Sequence, residues 1–260
     1  MFINLQTSMF FFTSVFPHEK VSIVNAKIYL IFFVVIYQFV LSDEVRANHK
    51  GENYNRTYYA DSIVKSEGWV IDNQKSGYWY FYFPDGGTES NGSYKKGLKD
   101  GYWQIFHSNG NLKSEGDFKN GEKTGFWKAY TSTGKLLSEG DCKEGLKNGF
   151  WKFYFENGKP EKEGRLVNDT LFGHWKFYGF NGQLKEEGQF EKNMRFGWWK
   201  EYAQSGKIIA EGPYRNDLKN GHWKLYFEGK LESEGNYISG IKKFTWTFYK
   251  EGEFDHIYQF

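Results

Sequence analysis

Residues 149–164 read GFWKFYFENGKPEKEG. A glycine is followed two residues later by tryptophan, then by an aromatic run to Phe155, the pair Asn157-Gly158, and a stretch closing on Glu163-Gly164. The first run predicts a β-strand, Asn157-Gly158 predicts a two-residue turn of type I′, and the stretch through Gly164 to Leu166 predicts the returning strand. The pattern recurs down the chain. Trp79, Trp103, Trp127, Trp151, Trp175, Trp199 and Trp223 stand 24 residues apart, and Trp246 follows after 23. A fixed period of this length marks a repeat array, and it outranks any local motif.

Other positions keep the same period. Glycine lies two residues before each Trp from Gly77 to Gly221, with Phe244 the departure in the last unit. An aromatic lies three residues after, from Tyr82 to Tyr249, and an acid-glycine pair closes units as in Glu115-Gly116, Glu139-Gly140, Glu163-Gly164 and Glu187-Gly188. Gly212 holds the same place in a later unit. A degenerate unit precedes the array, with Asn55 in the Trp place and Glu67-Gly68 at its end. The expected fold is all-β: an elongated single-layer antiparallel ribbon, or solenoid, of about eight tandem β-hairpins, plus an apolar N-terminal segment. Two strands per unit advance ~10 Å, so eight units make roughly 75–80 Å.

With a two-residue turn at Asn157-Gly158, facing residues have offsets from Trp that sum to 13. Trp151 then faces Gly164, whose missing side chain leaves room for the indole. Lys152 faces Glu163, and likewise Lys128 faces Glu139, Lys176 faces Glu187, Lys200 faces Glu211 and Lys224 faces Glu234. This Lys/Glu ladder is expected to mark the solvated face, and the Trp, Leu, Gly and aromatic positions the buried one. Gly97, Gly121, Gly145, Asp169, Asn193 and Asp217 share one position in the link between units. Asn and Asp best replace Gly where φ is positive, so a left-handed turn is expected there.

The composition agrees: aromatics are 21% of 260 residues, with 30 Gly, 4 Pro and 1 Cys. So much Gly with so many aromatics excludes a helical bundle. The net charge of +2 does not suggest a nucleic-acid partner, which demands a basic surplus. Ile28 to Leu41 is a 14-residue apolar run, enough for an export-signal core and short of a membrane span. Residues 1–47 are read as an extension carrying that signal, cut ahead of Asn48 behind Val45 and Ala47. Residues 48–54 are read as a linker and 55–260 as the array. The chain is therefore expected to be exported to the periplasm, cell surface or medium, with an anchor at 28–41 or a buried strand as alternatives.

The register from Glu115-Gly116-Asp117-Phe118 through Gly121 and Gly125 to Trp127 resembles the MORN repeat. The Trp-Lys-x-Tyr and Glu-Gly elements resemble its bacterial variant. The resemblance covers residues from about 55 to 260 and implies a ribbon of hairpins serving as an interaction platform. Trp stands where the eukaryotic motif has Gly, which weakens any transfer of phospholipid binding. Some members of the variant are called antitoxins.

No catalytic, cofactor or metal site is expected. His174 and His222 take a place that is aromatic in other units. The Glu row could divide acid and base roles, but each Glu has a Lys opposite. Cys142 replaces an aromatic and reads as a buried apolar residue. Gly-rich turns with no following helix cannot form a phosphate loop. Tyr102, Phe126 and Phe150, on the Lys/Glu side, are the candidate exposed binding positions, since stacking needs a π-face in water. The leading reading is a non-enzymatic scaffold for a protein partner at the cell envelope. Lipid or envelope-glycan contact, and an antitoxin or immunity role toward a toxin, are the alternatives.

Overall fold

The computed structural model describes residues 53–260, which form one open antiparallel sheet of 19 strands and contain no helix. Strands pair in chain order from Asn53–Tyr58 to Glu253–Gln259. The short strands Leu218–Lys219 and Gly221–Phe227 both lie on Ile208–Arg215, so 19 strands make 18 ribs and nine hairpins. These are the eight Trp units and the degenerate first one. The apolar run 28–41 and the cut expected ahead of Asn48 lie outside the described residues. Asn53 and Tyr54 belong to the first strand rather than to a linker: Asn53 pairs with Val70, and the Tyr54 ring packs edge-on against Trp69 at 5.1 Å.

Trp151 pairs with Gly164 and Lys152 with Glu163, as the spacing requires, but the turn that produces this register differs from the expected one. The Phe155 N–H donates to the Lys159 carbonyl at 2.9 Å, which leaves three loop residues rather than two. A type I′ turn needs positive φ at both central residues. Here Gly158 alone has it, at 80°, while the Asn157 side chain accepts the Lys159 N–H at 2.9 Å. A one-residue bulge between Pro160 and Lys162 then cancels the extra loop residue and restores the pairing. The two-residue form occurs within the shorter seventh unit, where Phe227 pairs with Lys230 around Glu228 and Gly229, both at positive φ.

Type I′ geometry is instead the rule at the links between units. Asn168 and Asp169 have φ of 50° and 61°, and Lys96 and Gly97 have 50° and 77°. Asp169 adds a bond that glycine could not, its Oδ1 accepting the Lys147 N–H at 3.0 Å. Asn193 and Asp217 do the same for Leu171 and Arg195.

The core is a file of indoles. All eight period-setting tryptophans are at most 3% exposed. Each Trp from Trp79 to Trp223 lies between two glycines, Trp246 lies between Gly235 and Tyr258, and every ring leans on the earlier glycine. A Cβ at Gly164 would come within 2.3 Å of the Trp175 ring, whereas one at Gly140 would meet Trp151 at 2.5 Å. The room for the Trp151 indole is therefore made by Gly140 of the preceding unit, not by Gly164 of its own. The lean is fixed by the indole N–H, which donates to the carbonyl ten residues earlier, as from Trp151 to Asp141 at 2.8 Å and from Trp175 to Arg165 at 3.0 Å. It also explains why Gly68 is needed in a first unit that has Asn55 in the Trp place, and why Tyr258 can face Trp246 where other returning strands carry Gly.

Candidate functional site

Period-2 alternation sends the residues one before and one after each Trp to the opposite face of the sheet. The Glu of each returning strand joins them. Glu67, Glu115, Glu139, Glu163, Glu187, Glu211 and Glu234 each accept on Oε1 the hydroxyl of a tyrosine from the next hairpin. The donors are Tyr82, Tyr130, Tyr154, Tyr178, Tyr202, Tyr226 and Tyr249, at 2.6–2.7 Å. The aromatic three residues after Trp, expected in the buried layer, therefore belongs to this polar face and ties one unit to the next. The unit that lacks the acid also lacks the hydroxyl: Asn91 holds the Glu place and Phe106 the Tyr place. That paired exception, visible in the sequence, was the overlooked signal.

The Lys/Glu ladder has the expected register, but only Lys152 and Glu163 close to ion-pair distance among its five pairs, at 3.6 Å. The carboxylates are drawn instead toward the tyrosines and toward the residue preceding Trp. Tyr102 donates to Oε2 of Glu115, and the His174 and His222 Nε2 atoms lie 3.1 Å from Oε2 of Glu187 and Glu234. In Glu67 and Glu234 the tyrosine hydrogen bond is the largest influence and lowers the carboxyl pKa. In Glu115 and Glu187 burial pushes the pKa up, but the hydroxyl and His bonds together with nearby Lys outweigh it. The tyrosines respond in the opposite sense: Tyr154 and Tyr226 are pushed up to about 12 by burial and then by the bonded carboxylate.

Beside these carboxylates runs a row of open rings. Tyr102, Phe126 and Phe150 are 51%, 49% and 52% exposed, and Tyr78 and Trp198 continue the row with similar exposure. The structure thus brings the three candidate binding residues onto one face, in consecutive units, each next to a fixed acid. Cys142 is buried, and burial pushes its thiol pKa up against the pull of Lys123 and Lys147. Among the described residues no cluster of His, Cys, Asp and Glu has the makings of a metal site. Among the described residues no helix is long and apolar enough to cross a membrane.

The profile of the MORN repeat variant family matches residues 99–120, 147–168, 173–192 and 197–216, each block containing one Trp of the period. Four of the eight Trp units thus match the MORN repeat variant. MORN repeats are in general protein- and lipid-binding modules. No curated protein matches the chain. Among solved structures, the TcdB2-TccC3-TEV crystal structure is 12% identical at a TM-score of 0.22, over 76% of this chain and 12% of that one. The TcdB2-TccC3-Cdc42 structure is 12% identical at 0.16, over 72% and 14%. This chain spans about an eighth of those chains, and at such scores the likeness carries no argument.

Proposed function

We propose that the MORN array is a non-catalytic scaffold that binds a protein partner along the polar face, through the aromatic row that includes Tyr102, Phe126 and Phe150. The observation carrying this reading is that the three rings stand half-exposed in consecutive units beside carboxylates immobilised by tyrosine. Aromatic residues supply most of the energy in protein interfaces, and a rigid carboxylate beside each ring adds polar specificity. Among the described residues none converge in a cleft as acid, base and nucleophile would have to, which supports a binding role rather than catalysis. Export through the apolar segment 28–41 belongs to the same reading and places the scaffold at the cell envelope.

The test is crosslinking and affinity capture from the native envelope, comparing the parent with a Tyr102→Ser, Phe126→Ser, Phe150→Ser triple variant. The expected result is a partner enriched by the parent and lost from the triple variant. Retention of the same partner would refute the assignment of the face. Exposed rings also satisfy the requirement for stacking on sugar rings, so envelope glycan is the second reading. Binding of purified glycan that disappears in the triple variant would favour it.

A further inference from the structure

The Trp face carries a row of its own. Four residues before Trp79, Trp103, Trp127 and Trp151 stand Lys75, Lys99, Lys123 and Lys147, with Nζ 4.0–4.9 Å from the indole centroids. All four are half-buried. Each lies just past a link turn, and the next unit pins its backbone: the Lys75, Lys99 and Lys123 carbonyls accept the N–H groups of Gly97, Gly121 and Gly145 at 2.8–3.0 Å. Burial lowers the pKa of Lys75, Lys99 and Lys123, and for Lys99 the flanking Lys75 and Lys123 lower it further against a partial offset from Glu89. Among the described residues no ion pair engages these four ammonium groups.

Two later units show what completes such a position. Arg195 and Lys219 lie over Trp199 and Trp223 in the same way, and each meets a carboxylate: Glu186 at 3.0 Å and Glu201 at 3.3 Å. Glu186 stands nine residues before Arg195. Nine residues before Lys99, Lys123 and Lys147 stand Ser90, Ser114 and Ser138. The chain supplies the acid at Arg195 and Lys219, whereas Lys242 over Trp246, nine residues after Ser233, keeps the unpaired pattern of the first four.

We propose that the Trp face of the units from Trp79 to Trp151 docks an acidic, amphipathic, extended segment of a partner protein. Its carboxylates would stand beside Lys99, Lys123 and Lys147 as Glu186 stands beside Arg195. Successive lysines are ~10 Å apart, about one three-residue turn of an extended polyproline II segment, which sets every third side chain on one side, so an acid at every third position meets them in turn. The rings of Phe81 and Tyr94 and the side chain of Ile105 are partly buried beside this row, so the residues between the acids gain by being apolar. A polypeptide alternates carboxylates and apolar groups along one line, which phosphate backbones do not. This face is opposite the aromatic row, so the two binding assignments stand or fall separately.

The test is fluorescence-anisotropy titration of the full chain with a labelled peptide carrying Glu at every third position and Pro and Val between. Parallel titrations use a single-stranded RNA oligonucleotide and phosphatidylglycerol–phosphatidylcholine vesicles. The parent is expected to bind the peptide in preference to both, more weakly as salt rises. A Lys99→Gln, Lys123→Gln variant is expected to bind about tenfold more weakly, the factor that two partly exposed charge pairs together supply. Ser114→Glu, which supplies an internal acid to Lys123, is expected to weaken binding while the fold melts no lower than the parent. Lys113→Gln, Lys143→Gln, which removes two exposed charges elsewhere, should change nothing. The proposal is overturned if the parent fails to bind the peptide, if both lysine pairs weaken it equally, or if RNA or vesicles bind more tightly with the same lysine dependence.

Discussion

On the Trp face, each unit meets the one before it through an indole that fits only over glycine. On the polar face, the same two units meet through a tyrosine hydroxyl and a carboxylate. The first contact is steric and buried, and nothing in water substitutes for it. The second is a half-exposed hydrogen bond whose strength follows the charge on its acceptor. A sheet one layer thick thus has one face held by buried rings and one held by half-exposed hydrogen bonds, and substitutions on the two should differ in kind as well as size.

The largest loss is expected from Trp151→Ala, at ~3–5 kcal/mol, because it removes a fully buried aromatic from between two units. Guanidinium melts compared with the parent measure it. Gly164→Ala comes next, at ~1–3 kcal/mol, since the new methyl must displace the Trp175 ring. On the polar face, Tyr154→Phe removes one half-exposed bond to Glu139 and should cost ~1–2 kcal/mol, at the lower end of the ~1.5–3 kcal/mol of a hydrogen bond to a charged acceptor. Lys152→Ala should cost under ~1 kcal/mol, because the pair with Glu163 is largely solvated. If the Trp151 and Lys152 variants melt alike, the division between the faces is wrong.

The faces should also separate by pH. Glu67, Glu115, Glu187 and Glu234 are more acidic folded than unfolded. Their contribution is complete above the ordinary carboxylate value, 4.5, and is lost as pH falls through the lower folded value. Tyr154 and Tyr226 run the other way: their contribution is complete below 10.0 and is lost as pH rises toward about 12. Melting temperature against pH should therefore form a plateau with shoulders at both ends. A Glu115→Gln variant should show a smaller acid shoulder, and an unchanged one would contradict the Tyr–Glu account.

The smallest expected effect is a gain. Phe244 sits at φ 60° where seven other units have Gly, and its ring is 56% exposed. Replacing it with Gly should relieve strain of ~1–2 kcal/mol, less the entropy that glycine adds to the unfolded chain. Melts of Phe244→Gly lying below the parent would show that the exposed ring does more than strain its backbone.

Much of this was legible in the period of the tryptophans, because a residue that must be buried in every unit cannot drift. The register was legible too, but for a reason that did not hold. The three-residue loop at Glu156-Asn157-Gly158 and the bulge before Lys162 are each one residue from the expected hairpin and cancel. Offset arithmetic cannot see a compensation that leaves the sum unchanged. Which neighbouring glycine accepts the Trp151 ring was also hidden, since pairing places Gly140 and Gly164 symmetrically and only the indole N–H bond to Asp141 chooses between them. The lysines at 75, 99, 123 and 147 keep the 24-residue period in plain view. Their seat over the indoles follows from the two-residue bulge at positions such as Gly173-His174, which the sequence alone does not announce.

The claim that each indole rests on the glycine of the preceding unit is tested most directly by a double-mutant cycle at Gly164. Gly164→Ala is measured by equilibrium unfolding in the parent, in Trp175→Val and in Trp151→Val. The account expects the penalty of ~1–3 kcal/mol to vanish in the Trp175→Val background, where no ring remains to be displaced, and to persist in Trp151→Val. A penalty that persists without Trp175, or that vanishes without Trp151, would contradict it.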